Sequence, residues 1–207
     1  MLRYVYGDEL HQFPKLRDTM FADRATQFRD RLGWAVTVTG GHERDQYDAL
    51  NPLYVIWQRP DGAHGGSMRF LPTRGRTMIN EHFAHLAGRI EHHHMWECTR
   101  FCLAEGAAAH VSAALMLGGV EVGLGFGLTH AVGVFDARMV RVYRALGWSP
   151  DVLGSAGEGR EAVSLGRWTF SEAIRQKLCA KAGLQADLSS QWFAGAFGLH
   201  AAYAEAV

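Results

Sequence analysis

Charged side chains embedded in apolar, strand-like runs constrain this fold more than any other feature. Arg69 sits inside "GSMRFLPT", residues 66–73, and Glu97 and Arg100 sit inside "MWECTRFCL", residues 95–103. An unpaired buried ion costs several kcal/mol, so each of these groups needs a partner. The acids Glu43, Asp45 and Asp48 in "GHERDQYDALNPLYVIW", residues 41–57, are the obvious candidates. One geometric difficulty is local. Glu97 and Arg100 are three apart, so an ideal strand sends them to opposite faces. Either they serve different layers, or a β-bulge realigns them.

Two readings of these charges stand side by side. One is an ion-pair network that only fixes strand register, since such networks perturb pKa values without catalysing anything. The other is a polar cleft in which arginines position acids, and the acids hold an amine or act as a base.

Composition narrows the class. The 207 residues suffice for one good core and favour a single domain, residues 1–207. Lys plus Arg balance Asp plus Glu at 21 each, so no global field favours nucleic acid or an anionic membrane, and an anionic partner must meet a local patch. Three cysteines, Cys98, Cys102 and Cys179, are odd in number and form no C-x-x-C pair, which points to a reducing, cytoplasmic compartment. No signal-like N-terminal run is seen. The most membrane-like window, residues 111–128, carries Glu121 and five glycines and makes a poor span.

Along the chain, "MLRYVY" reads as a strand and Phe13 to Leu32 as helical, with Gly33 as a stop. "WAVTV" (34–38) and "LYVIWQ" (53–58) read as strands, and "RPDGAHGG" as a hairpin turn into "SMRFLP". A short helix around Glu81 to Leu86 precedes the strand 95–103. Ala107 to Leu128 reads as helical, 130–136 as a strand, Ala137 to Leu146 as a helix, and "AVSLGRWTF" closes the sheet ahead of two C-terminal helices. A meander passing into a strand–helix–strand unit predicts an α/β fold, a three-layer α-β-α sandwich with a mixed central sheet.

In "RATQFRDRLGW", Arg24 and Phe28 are helical neighbours and Trp34 follows the glycine stop. The aromatics are either core residues or an aromatic pocket with an arginine at its rim, suited to a ligand carrying a cationic or π-rich group and a carboxylate. Consecutive His92, His93 and His94 do not converge on one ion and lack a second ligand pair, so no metal site is expected. "GLGFG", 123–127, ends a helix instead of opening one, so it is no dinucleotide fingerprint.

Arg24, Phe28 and Trp34, then "E-x-D-x-Y-D" from Glu43 to Asp48, "G-S-x-R-x-L-P-T" from Gly66 to Thr73, Phe83, and "WE-x-x-R-F" from Trp96 to Phe101, together resemble the LuxI-type acyl-homoserine lactone synthases. Residues 24–103 match closely and in order, whereas the C-terminal half resembles the family only thinly. The resemblance implies a fold similar to the GNAT N-acyltransferases and synthesis of a quorum-sensing signal. The substrates would be S-adenosylmethionine and an acyl thioester on acyl carrier protein or coenzyme A. S-adenosylmethionine is there a substrate, so no cofactor is expected.

The same resemblance implies catalytic roles for Glu97, Asp45 and Arg100, with Glu97 as the base, and an S-adenosylmethionine site of Arg24, Phe28, Trp34, Asp48, Arg69 and Phe83. Gly133 in "THAVGVFD" falls where a threonine in the family often accompanies 3-oxo chains, so an acyl chain without that group is expected. The small residues of 104–133 are compatible with a roomy tunnel for a long chain. Arg138, Arg141 and Arg144 are candidates for a carrier-protein patch or, equally, a solvated helix face. The alternative function is a GNAT-like N-acyltransferase using an acyl-CoA and a different amine.

Overall fold

The structure, a computed structural model, describes residues 1–199; the last eight positions of the expected 1–207 domain lie outside the described residues. In chain order the elements are β1 (Leu2–Tyr6), α1 (Pro14–Ala25), β2 (Val38–Thr39), β3 (His42–Glu43), β4 (Leu53–Gln58), β5 (His64–Pro72), α2 (Met78–His82), α3 (Ala84–Ala87) and β6 (Met95–Leu103). There follow α4 (His110–Gly125), β7 (His130–Asp136), α5 (Met139–Leu146), β8 (Asp151–Ala156), β9 (Val163–Thr169), α6 (Glu172–Ala182) and α7 (Ala186–Phe197).

Seven strands form one mixed sheet in the order β1-β4-β5-β6-β7-β9-β8, and β2 with β3 makes a separate two-stranded ribbon. Only β6 and β7 pair in parallel, as expected for two strands joined through the helix α4. Helices cover both faces. On one, Leu16, Met20 and Phe21 of α1 pack on Val5, Tyr54 and Ile56, while Ile79 of α2 meets Val132 and Leu165. On the other, α4, α5, α6 and α7 bury the larger core against Leu2, Val55, Met68 and Phe70.

The helix α4 is apolar all round and buried along most of its length, which is the pattern of a helix enclosed by protein. Among the described residues no helix is long and apolar enough to cross a membrane. Of the small residues in 104–133, three glycines of α4 do not border open space. A Cβ at Gly118 would lie 2.5 Å from Val55, one at Gly123 2.3 Å from Phe170, and one at Gly125 2.1 Å from Phe193. These glycines let the sheet and the aromatic rings approach the helix axis, so the space beside them is already filled.

Two strand readings change. The run 34–38 is not a sheet strand: Val36 N–H bonds to Trp34 C=O at 2.9 Å, and only Val38 and Thr39 pair, with Glu43 and His42 of the ribbon. Conversely, β8 forms at the sheet edge, where its partner β9 supplies the pairing that its own glycine-broken sequence does not advertise.

Candidate active site

Three arginines and three carboxylates meet between α1 and the sheet. Arg24 donates from Nε to Glu43 at 2.5 Å and from Nη1 and Nη2 to the two oxygens of Asp48 at 3.0 and 2.9 Å. Arg69 donates from Nη1 and Nη2 to Asp45 at 2.5 and 2.9 Å, from Nη1 to Asp48 at 2.7 Å, and from Nε to Thr99 at 3.0 Å. Arg100 reaches Glu43 at 2.9 Å and Asp45 at 2.8 Å. Arg24, Glu43 and Arg69 are essentially inaccessible to water. With three charges of each sign the cluster is neutral, which is what permits its burial.

Local sequence explains how the acids arrive there. Between β3 and β4 the Asp45 carboxylate accepts the Tyr47 and Asp48 backbone N–H groups, an Asx turn, and the Asp48 carboxylate accepts the Asp45 N–H in return. Both carboxylates therefore face the sheet. Tyr54, from β4, donates its O–H to Asp48 at 2.6 Å. Burial pushes the Asp48 carboxyl up, but the Arg24 and Arg69 charges and the Arg24 and Tyr54 hydrogen bonds outweigh it and hold the group well below the usual carboxylate range.

Of the two alternatives for Glu97 and Arg100, different layers or a realigning β-bulge, the structure shows a bulge, at Arg100 and Phe101. In the β5–β6 pairing Arg69 opposes Thr99 and Ser67 opposes Cys102, so Arg100 and Phe101 share one opposing residue. Arg100 sits at φ 55°, a left-handed conformation that a non-glycine residue rarely adopts. The bulge brings its guanidinium to the same charge layer as Thr99 and Arg69. Such strain persists only where surrounding contacts over-determine it, and two carboxylates do so here.

Glu97 stands at the edge of this layer. Its two oxygens accept the N–H groups of Ile79 at 2.7 Å and Met78 at 3.1 Å, so it caps the start of α2. Burial raises its carboxyl to about 7, against the lowering pull of those two N–H groups and Arg69. Burial outweighs them, and the group rests near its half-protonated point at neutral pH. Such a carboxyl is poised for proton transfer.

One wall is aromatic. Phe28 and Trp34 stack with centroids 5.2 Å apart and planes 4° from parallel, and the Arg100 guanidinium lies 5.4 Å from the Phe28 ring centre. The helix widens to a π turn over Thr26–Arg31 here, a distortion common at functional sites. Phe28 is buried while Trp34 is 42% exposed. Arg24 is not at the rim of this pocket as its spacing suggested; it points inward to Glu43 and Asp48, and Arg100 is the guanidinium that faces Phe28. Phe83 does not join the aromatic pair. It links α2 to α3, half-buried, with its ring 6.2 Å from that of His85.

At Glu97 the sheet forks. Pairing between β6 and β7 runs only from Met95 with His130 to Glu97 with Val132, after which both strands continue without registered partners between them. The next residue on β7 is Gly133, where a Cβ would lie 2.6 Å from the Cys98 carbonyl oxygen. Gly133 therefore sets how closely the two strands approach at the apex of the fork, and a bulkier residue would wedge it open.

Glu43 and Tyr54 are the site residues whose roles sequence reasoning left open or missed. Glu43 is the innermost acid, bridging Arg24 and Arg100. Tyr54 was available to find, because a tyrosine in the buried part of a strand needs a partner for its O–H. His92, His93 and His94 lie apart from the cluster, and among the described residues no group of three His, Cys, Asp or Glu side chains could hold a metal ion.

The sequence matches the autoinducer synthase family over residues 9–178. An acyl-homoserine-lactone synthase from Rhizobium etli is 40% identical over 177 residues, spanning 81% of this chain and 84% of that one. The fold is similar to that of BjaI, described as a CoA-dependent acyl-homoserine lactone synthase and solved with SAM and isopentyl-CoA: TM-score 0.79 at 18% identity, over 89% of this chain and 90% of that one. The structure of an acyl-CoA N-acyltransferase from Pseudomonas aeruginosa superposes with a TM-score of 0.56 at 15% identity, covering 81% of this chain and 98% of that one. The chain is thus a member of the autoinducer synthase family, an acyltransferase built on the N-acyltransferase-like fold.

Proposed function

We propose that this enzyme acylates the amine of S-adenosylmethionine from an acyl thioester and then closes the product to an acyl-homoserine lactone, releasing methylthioadenosine. The observation that carries the reading is the fork between β6 and β7 with Glu97 at its apex. An extended thioester arm needs a slot lined by free backbone groups, and the amine that attacks it needs a base beside that slot.

In the first step the amine nitrogen attacks the thioester carbonyl, the C–N bond forms, and the C–S bond breaks to release the carrier thiol. Glu97, acting through one water, takes the proton lost by the amine. Backbone N–H groups on the unpaired strand edges stabilise the oxyanion. In the second step the methionine carboxylate attacks its own γ-carbon and expels methylthioadenosine; the sulfonium is already a good leaving group, so the enzyme contributes positioning.

The Phe28–Trp34 pair receives the cationic, π-rich end of S-adenosylmethionine, and Phe83, which stands apart from it between α2 and α3, is not assigned to that end. Arg24, Asp48 and Arg69 form the rigid back of that site, and Asp45 with Arg100 forms its inner edge nearest the chemistry. The reaction so written calls for no resident cofactor. We place the enzyme in the cytoplasm as one domain, with free Cys98, Cys102 and Cys179. We assign carrier docking to Arg141 and Arg144, which stand exposed on α5, whereas Arg138 is paired with Asp136 at 2.6 Å.

Incubation with S-adenosylmethionine and a panel of acyl-carrier and acyl-CoA thioesters, followed by mass spectrometry, tests the reading. Lactone plus methylthioadenosine is the expected product pair. Acylation of another amine without methylthioadenosine would replace it with the plain N-acyltransferase. A dominant 3-oxo product would overturn the expectation drawn from Gly133.

A further inference from the structure

Asp23, His64 and Ser67 form a hydrogen-bonded series that the proposed reaction does not use. His64 Nδ1 lies 2.6 Å from Asp23 Oδ2, and Nε2 lies 3.0 Å from Ser67 Oγ. With a neutral ring, Nδ1–H donates to the carboxylate and Nε2 accepts the Ser67 O–H, so every polar atom of the buried imidazole is used. Burial pushes His64 below its ordinary pKa, and Arg24 and Arg59 add to that while Asp23 opposes it.

The order of groups is that of a serine hydrolase, but Ser67 is 2% exposed within a central strand, where no substrate can reach it. The series holds structure instead. Thr19 and Asp23, four apart on one face of α1, both bind His64, Thr19 Oγ1 accepting its backbone N–H at 2.9 Å. An extra residue in β5 at Gly65, opposite the Trp57–Gln58 step of β4, brings His64 onto the face that carries Ser67.

The position of this clamp is informative. Asp23 immediately precedes Arg24 on α1, and Ser67 is two residues before Arg69 on the same face of β5. Arg24 Nη1 and Arg69 Nη1 converge on a single oxygen, Asp48 Oδ1, at 3.0 and 2.7 Å. Two cations sharing one acceptor repel each other, so the spacing of α1 from β5 must be fixed by something other than the charges themselves. A neutral imidazole bonded at both ends fixes it without altering the charge balance.

We propose that His64 is a positioning residue for S-adenosylmethionine, holding α1 against β5 so that Arg24 and Arg69 keep Asp48 and its neighbours in register. This rests on the functional reading above.

Steady-state methylthioadenosine release by the purified full chain tests it. His64→Leu raises KM for S-adenosylmethionine about tenfold, the worth of one lost charge-assisted hydrogen bond, and leaves KM for the acyl donor unchanged. Ser67→Ala, which keeps the fold and removes one end of the clamp, raises the same KM about threefold, as for a neutral hydrogen bond. The double variant is no worse than His64→Leu, and His64→Asn, which retains a donor toward Asp23, recovers part of the loss. A folded Ser67→Ala or His64→Leu with unchanged KM for S-adenosylmethionine overturns the proposal, as does an equal loss for both substrates. Absence of methylthioadenosine from the wild type would instead overturn the functional reading, and this inference with it.

Discussion

The two faces of the sheet solve the same packing problem by opposite means. Under α1 the fit is directional: three guanidiniums and three carboxylates are satisfied by named hydrogen bonds. Under α4 it is volumetric: glycines on the helix receive Val55, Phe170 and Phe193. A buried ion pair that loses one partner leaves a bare charge, worth about 3–5 kcal/mol. A close-packed apolar surface that gains a methylene is strained by about 1–3 kcal/mol. The polar face is thus the less tolerant of change, and it is the one to which we assign the chemistry.

The largest effect should come from Arg24→Met, which strands Glu43 and Asp48 and lowers urea-unfolding stability by about 3–5 kcal/mol. A loss below 1 kcal/mol would show that Arg100 and Arg69 suffice for those acids. Glu97→Gln comes next, lowering turnover about a hundredfold, the lower end of general-base contributions, with the fold retained. Near-normal lactone synthesis would remove Glu97 from the base role.

The pH dependence of stability isolates the same carboxyl. Its pKa rises from an ordinary 4.5 to about 7 in the fold, so the folded chain binds more protons than the unfolded one between those values. Glu97 therefore makes the wild type lose stability as pH rises from about 4.5 to about 7, and the Gln variant lacks that component. Urea midpoints across the range would read it, and identical slopes would rule it out.

On the apolar face, Gly125→Ala drives a methyl into Phe193 and costs about 2 kcal/mol in the same unfolding assay, with kcat per folded molecule unchanged. An equal fall in kcat would mean that the two faces are mechanically coupled. The smallest effect belongs to Tyr54→Phe, which deletes one hydrogen bond to Asp48 and costs about 1 kcal/mol.

Much of the polar face was legible because a charge inside a strand announces a missing partner. Arg69 and Arg100 pointed to Asp45 and Asp48 for that reason, and the three-residue spacing of Glu97 and Arg100 left a bulge as one of two alternatives. Glu43 was harder, since its first partner, Arg24, lies on a helix 19 residues away and carried another reading. The apolar face misled, because glycine and alanine are equally the marks of open space and of close approach. Which one applies depends on what fills the opposing surface, and Phe170 and Phe193 come from distant parts of the chain. The run "WAVTV" had strand propensity without a neighbouring strand to pair with, and β8 had the neighbour without the propensity; in both, tertiary context decided.

The exposure of Trp34 gives the enzyme an intrinsic optical reporter. The chain has six tryptophans, and among the described residues Trp34 alone is largely open to water. Red-edge excitation should favour its emission, and acrylamide should quench it before Trp148 or Trp168, which are buried. A ligand that inserts against the Phe28–Trp34 stack would shift that emission and shield it from quencher. Binding at the aromatic wall could then be titrated by fluorescence in the absence of any acyl donor, and so separately from turnover.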